Sequence, residues 1–504
     1  MTALSLERIR REGEAFMEEI SRETYLAHSG LKPTVELQAI YERHSAILGD
    51  DAFRFALESF KAAPPDTIER RSAKSLLEWE LDAQASKALA SLEEREVAWE
   101  SQATLRVNGR DIQYQAAPIE IGNSKDRSER LAIDDARATL ALSEHSPIRL
   151  EYLQGERSVI ESMGVAPDYN QSFEVVSGIS LRELAAQCES FLADTQSMWD
   201  DSLRHYLRAK LGIEPREAKR ADAIALFRAS EFDAGFPASG LEPSIRRQAT
   251  EMGIDPTAGE RIHYDLGERA GKHSRAFCAP VRVPAEVYLV LRPHGGQSDY
   301  NTLLHELGHA LHFAYASADL PFEFRWLGDN SVTESYAMLF DHRMQDRGWL
   351  LRYTELGKTR VADFLRTAGF EELHFLRRYS AKLIYEISVY SGDIPWQSLP
   401  DLYVSRLTAA TGFEYRAADA FIDMDPRFYS ARYLRAWQLQ SALNEYLTRR
   451  FDIDWHRNPA AGPWIAGDLF SIGQRDTADE IAARLGAKLS FKPIIRKIES
   501  LLES

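Results

Sequence analysis

The chain has 504 residues, 44% hydrophobic and 27% charged, the proportions of a soluble globular protein long enough for a large core. A formal net charge of −16 argues against nucleic acid as a partner, because phosphates and an acidic surface repel one another. No run of eighteen apolar residues is present, so no bilayer span is expected, and the two cysteines, Cys188 and Cys278, supply no disulfide framework.

The first residues, MTALSLERIRREGEAFMEEISRE, carry charge throughout and lack the apolar segment of a secretory signal. With so few cysteines, a reducing, cytoplasmic setting is expected. Helical periodicity then dominates. Residues 65–101 follow Pro64-Pro65 with apolar positions at helical spacing, and residues 180–211 repeat the pattern behind Ser180, a candidate N-cap. Between them TLRVNGRDIQYQ, residues 104–115, alternates around Asn108-Gly109 and predicts a two-residue hairpin. Gly, Pro and mixed charge cluster at 210–250, where a boundary is expected between an N-terminal helical lobe, 1–210, and a catalytic lobe, 211–504. There Val287-Tyr288-Leu289-Val290-Leu291 reads as a strand with an edge able to pair with an extended peptide. His294-Gly295-Gly296 follows, and its glycines would let the backbone approach a ligand, or simply turn strand into helix. Helical spacing resumes at 298–316, 358–392 and 428–450. The expected class is mainly α, with a small β-sheet beside the 298–316 helix.

That helix carries the chemistry. SDYNTLLHELGHALHFAYA contains His305-Glu306-Leu307-Gly308-His309, and positions four apart on a helix share a face, so both imidazoles can address one ion. Glu306 lies about 100° away around the axis, placed to reach a water rather than the ion. Tyr300, Leu303, Leu304, Leu307, Leu311 and Ala314 form the buried stripe, with Ser298 or Asp299 as candidate cap. A hydrolytic zinc site uses three protein ligands and one open position. The third candidate is Glu334 in SVTESYAMLF, with Ser331 three residues earlier in a helix-start pattern. Asp341, two turns further along, could accept a hydrogen bond from a ligating imidazole. His312 and His342 are expected to pack or hydrogen-bond rather than ligate.

Several segments together resemble the thimet oligopeptidase and oligoendopeptidase F family of zinc peptidases. They are GKHSRAFC (271–278), DYNTLLHELGHALH, VTESYAMLFD, FYSARYLRAWQLQSAL (428–443) and GPWIAGDLFSIGQRD, covering about residues 260–475. The resemblance implies a large helical zincin-type fold with a deep substrate channel, one zinc per chain, and cleavage of short peptides. It further implies His305, His309 and Glu334 as ligands, Glu306 as base, Asp341 behind a ligand, and an oxyanion-stabilising tyrosine, Tyr429 or Tyr433. In IDMDPRFY the chain departs from the family: Asp423 and Asp425 stand where a histidine is usual. A helical metallocarboxypeptidase and a catalytically weak peptide-binding relative are the alternative expectations.

Overall fold

Helix accounts for 71% of the chain and strand for 5% in the computed structural model, so the protein is mainly α with small sheets. The structure describes residues 4–273 and 275–504; Ser274 of the 271–278 segment and residues 1–3 of the N-terminal stretch lie outside them. Among the described residues no helix is long and apolar enough to cross a membrane.

Helix α1 spans Leu6–His28 behind Ser5, whose side chain accepts a hydrogen bond from the Arg8 amide. Helix α2, Ile68–Gln102, starts after the proline pair at Thr67, which caps the Arg70 amide. Strands β1, Thr104–Val107, and β2, Arg110–Gln113, then pair with Leu105 opposite Ile112. Asn108 and Gly109 both take positive φ, 50° and 82°, as the two-residue turn requires. The helix expected over 180–211 is interrupted. Ser180 caps α3, Leu181–Asp194, but the helix stops at Thr195 and a new one runs Gln196–Tyr206. The Thr195 hydroxyl donates back to the Phe191 carbonyl at 2.7 Å and accepts from Arg377 at 2.7 Å, a local bond that competes with helix continuation.

Strands β3 (Ile262–Asp265), β4 (Phe277–Arg282) and β5 (Glu286–Val290) form a sheet in the order β3-β5-β4. β5 pairs parallel with β3 and antiparallel with β4. This corrects the expectation of a free edge at 287–291: the strand is central, and both its edges are occupied. Helix α4, Gln297–Tyr315, lies on this sheet, with Leu303, Leu304, Leu307 and Leu311 buried against Val287 and Leu289 in one core. Helix α5, Asn330–Asp341, adds Val332, Tyr336 and Leu339 to the same core. Helices α6 (Lys358–Ser391), α7 (Tyr429–Phe451) and α8 (Lys492–Leu502) complete the scaffold.

The expected division at residue 210 does not separate the cores. Leu77, Leu153 and Leu184 from one side pack in the same cluster as Leu373, Leu383, Tyr403 and Leu434 from the other. Helix α6 serves both: Val361, Phe364 and Leu365 enter the core beneath α4, whereas Phe370, Leu373 and Leu376 enter the N-terminal one. A long amphipathic helix keeps its apolar stripe whichever cluster it meets, so sequence periodicity does not reveal the change of partner.

Candidate metal centre

The centre is built where α4 and α5 cross at their backbones. A Cβ at Gly308 would sit 2.6 Å from Ala337 Cα and 2.7 Å from the Tyr336 carbonyl oxygen, so only glycine allows this approach. Glu334 therefore faces His305 and His309 one helix away. One ligand-type atom from each of these three residues lies within 4.8 Å of the others.

Each imidazole is oriented from behind. His305 Nδ1 is 2.8 Å from Asp341 Oδ2, and His309 Nδ1 is 2.9 Å from Thr333 Oγ1. Their Nε2 atoms turn toward Glu334 Oε2, at 3.4 and 3.8 Å. Glu334 Oε1 accepts from the Tyr429 hydroxyl at 2.6 Å, while Oε2 is buried without a hydrogen-bond partner. A buried, unbonded carboxylate oxygen facing two imidazole nitrogens is costly in a protein-only environment. The donor set, two imidazoles and a carboxylate, suits zinc.

The electrostatics follow from this packing. Burial opposes charge on His305, but the hydrogen bond with Asp341 and the nearby Glu334 carboxylate outweigh it and raise its pKa. Burial lowers His309 to about 4, so it is neutral at pH 7. Burial raises Glu334, yet the two imidazoles facing it and the Tyr429 hydroxyl prevail and lower it. Glu306 is shifted up by burial and by Glu334, against the pull of His305 and the Cys278 backbone amide.

The two tyrosines divide. Tyr429 is committed to Glu334, whereas Tyr433 makes ring contacts with Tyr429 (4.9 Å), Tyr379 (5.7 Å) and Trp437 (6.2 Å). Both phenols have raised pKa values, chiefly through burial and then through Glu334, so both remain protonated donors. Tyr429 follows two residues in left-handed backbone, Arg427 and Phe428 at φ 50° and 52°. Arg427 is tied to Asp82 at 3.0 Å on α2, and Phe428 is sealed among Tyr169, Phe173 and Tyr390. A cavity of about 220 Å³ opens beside Tyr429, lined by Glu78, Asp82, Arg427 and Arg432 at the join of α2 and α7.

Other expected residues fall elsewhere. Asp299 does not cap α4; its Oδ2 accepts from the His294 and Gly295 amides at 2.6 and 2.8 Å, and Ser298 makes no side-chain cap either. The Gly296 amide donates to the Phe236 carbonyl, and Cβ atoms at Gly295 and Gly296 would meet the Ala238 amide and Asp233 at 2.9 Å. The glycines of His294-Gly295-Gly296 thus serve a turn packed on residues 233–238 that leads from β5 into α4, with the His294 side chain exposed. The α5 cap is Asp329, accepting from the Ser331 amide, with Glu334 one turn inside the helix. Asp423 pairs with Arg378 and Tyr403, and Asp425 with Lys382 at 2.9 Å, so these two aspartates bring two cations to this region. His312 is buried, 3.2 Å from Thr333 Oγ1. Thr333 escaped the sequence reading, although it stands next to Glu334.

A second carboxylate–imidazole group, Glu96, Glu100 and His145, was also not anticipated. There His145 Nε2 bonds Glu96 at 2.7 Å and Arg149 already pairs with Glu96 at 3.0 Å, so the charge is met internally. Among the described residues, no arginine or lysine is paired with the 305–309–334 group. No protein-family model matches this chain, and no curated protein matches it.

Proposed function

We propose that the protein is a zinc-dependent peptidase that cuts internal bonds of short peptides, with zinc held by His305, His309 and Glu334. The observation that carries this reading is the pairing of two imidazoles, Nε2 atoms facing inward, with a buried Glu334 oxygen that has no hydrogen-bond partner among the described residues, beside the separate, half-buried Glu306. Zinc in such a set supplies Lewis acidity, lowering the pKa of water and polarising a carbonyl.

Within the proposal the chain's own groups do the rest. Glu306 accepts the proton of the attacking water and delivers it to the leaving amine nitrogen. Its raised pKa brings it nearer to the affinity needed for both transfers. The Tyr433 hydroxyl, not engaged with Glu334 as Tyr429 is, donates to the developing oxyanion. Asp341 and Thr333 hold the two imidazoles at the correct tautomer by accepting from their Nδ1–H groups. The substrate channel is assigned to the join between α2 and α7, where the cavity beside Tyr429 opens.

The test is metal content and product analysis on wild type and Glu306→Gln, with a mixed library of short peptides. One zinc per chain, with internal cleavage present only in wild type, is the expected result. Release of single C-terminal residues would replace the endopeptidase reading with a carboxypeptidase one. Zinc without cleavage by either protein would leave a peptide-binding relative, and absence of metal uptake would end the proposal.

A further inference from the structure

We infer that His342 is a positioning residue for the metal centre: clamped between Asp341 and Glu372, it fixes the carboxylate on which His305 leans and so sets how tightly the centre holds its metal. This rests on the reading of His305, His309 and Glu334 as ligands.

Asp341 has two oxygens and spends both. Oδ2 faces His305 Nδ1 at 2.8 Å, and Oδ1 faces His342 Nδ1 at 2.5 Å. The other ring nitrogen of His342, Nε2, meets Glu372 Oε1 at 3.1 Å, and the side-chain amide of Gln345 donates to Glu372 Oε2. Asp341, His342 and Glu372 are 8%, 8% and 7% exposed, so water does not compete for these bonds. The row therefore runs from α4 through the end of α5 to α6, linking three elements by side chains alone.

The chemistry of the row has a direction. A carboxylate only accepts, so an imidazole with a carboxylate at each nitrogen must donate from both. His342 then carries a proton on each nitrogen, consistent with a pKa raised by Glu372 and Asp341 against the cost of burial. With one oxygen satisfied by His342, Asp341 is held in a single rotamer, and its remaining oxygen draws the Nδ1 proton of His305. That leaves Nε2, on the side facing Glu334, as the nitrogen that would give up its place to a metal. Without His342, Asp341 Oδ1 would be a buried acceptor with no donor, and the carboxylate would be free to rotate away from His305. Lys497 from α8 feels the charge of Glu372, yet its pKa is lowered to about 8 by desolvation, and its Nζ has no hydrogen-bond partner among the described residues. It does not replace the link that His342 makes.

The experiment is zinc affinity measured by competition with a chromophoric chelator, on full-length wild type, His342→Leu, His342→Asn and Glu372→Gln. Asparagine offers an N–H close to the Nδ1 position, so it keeps the donor to Asp341 without the bond to Glu372. His342→Leu is expected to weaken zinc binding about tenfold or more, and His342→Asn to restore most of the loss. Glu372→Gln is expected to weaken it by about threefold, since His342 keeps a neutral acceptor in place of a charged one. Melting of the metal-free proteins reports plain structural damage, which would lower Leu and Asn variants alike and would not separate their zinc affinities. Leucine and wild type binding zinc equally would overturn the inference, as would asparagine binding as weakly as leucine. If the leucine variant fails to fold, unchanged affinity in Glu372→Gln overturns it instead. A wild type that takes up no zinc overturns the metal reading as well, which tells the two failures apart.

Discussion

At the scale of single residues, hydrogen-bond commitments assign roles that residue type alone leaves open. Tyr429 and Tyr433 are one helical turn apart and chemically identical, yet only Tyr429 donates to Glu334. On the proposed peptidase reading, Tyr433→Phe should lower kcat about 10²–10³-fold, the cost of one oxyanion donor, with zinc affinity unchanged. Tyr429→Phe should act the other way round, weakening zinc about tenfold through a less well held Glu334. Steady-state kinetics and chelator competition on the two variants check this, and reversed phenotypes would exchange the roles. Glu80 makes a different kind of prediction. It is fully buried, neither oxygen has a partner, and desolvation raises it to about 8. Between an unfolded pKa near 4.5 and the folded value, the native state holds a proton that the unfolded state releases, so stability falls as pH rises through that window. The loss is on the order of 3–5 kcal/mol by pH 8. Glu80→Gln should melt like wild type at pH 4.5 and clearly higher at pH 8; equal melting temperatures at both pH values would refute it.

At the scale of elements, Gly308 sets the geometry of the centre, because the α4–α5 separation is fixed by backbone contact. Gly308→Ala should push the helices apart, costing about 1–3 kcal/mol, and should weaken zinc binding as Glu334 retreats from both imidazoles. Thermal melts and metal competition measure both effects, and an alanine variant with native zinc affinity would sink the argument. The two histidines and the buried stripe of α4 were legible in the sequence because a helix with period 3.6 dictates which residues share a face. The β1–β2 hairpin was legible because Asn-Gly at a two-residue turn admits few alternatives. Other features depend on distant atoms. Thr195 breaks its helix with help from Arg377, Asp299 caps a loop instead of its own helix, and β5 became central when β3 joined its open edge. Position 342 looked like a bystander for the same reason: Glu372, which gives it a purpose, lies thirty residues away.

At the scale of the molecule, the cores decide what can stand alone. The N-terminal cluster needs Phe370, Leu373, Leu383, Tyr403 and Leu434 from the far side of position 210. A fragment of residues 1–210 should therefore lack a cooperative unfolding transition, whereas the full chain should show one by circular dichroism. A sharp transition in the fragment would restore the two-lobe division. Linker-like composition at 210–250 does not reveal that this segment itself enters both cores, with Ala218 and Leu226 in one and Phe232, Phe236 and Leu241 in the other.

Helix α6 gives that arrangement a mechanical consequence. Its 34 residues form a rod about 50 Å long, embedded in one core at its start and in the other beyond Gly369, where a Cβ would lie 2.7 Å from Leu501 Cβ of α8. Rotating one core against the other would bend this strut against its own hydrogen-bond ladder and against the helix wedged into its notch. The candidate metal centre, anchored to the same rod through Glu372, thus belongs to a stiff frame, and on the proposed function solution scattering should return one radius of gyration with or without a short peptide.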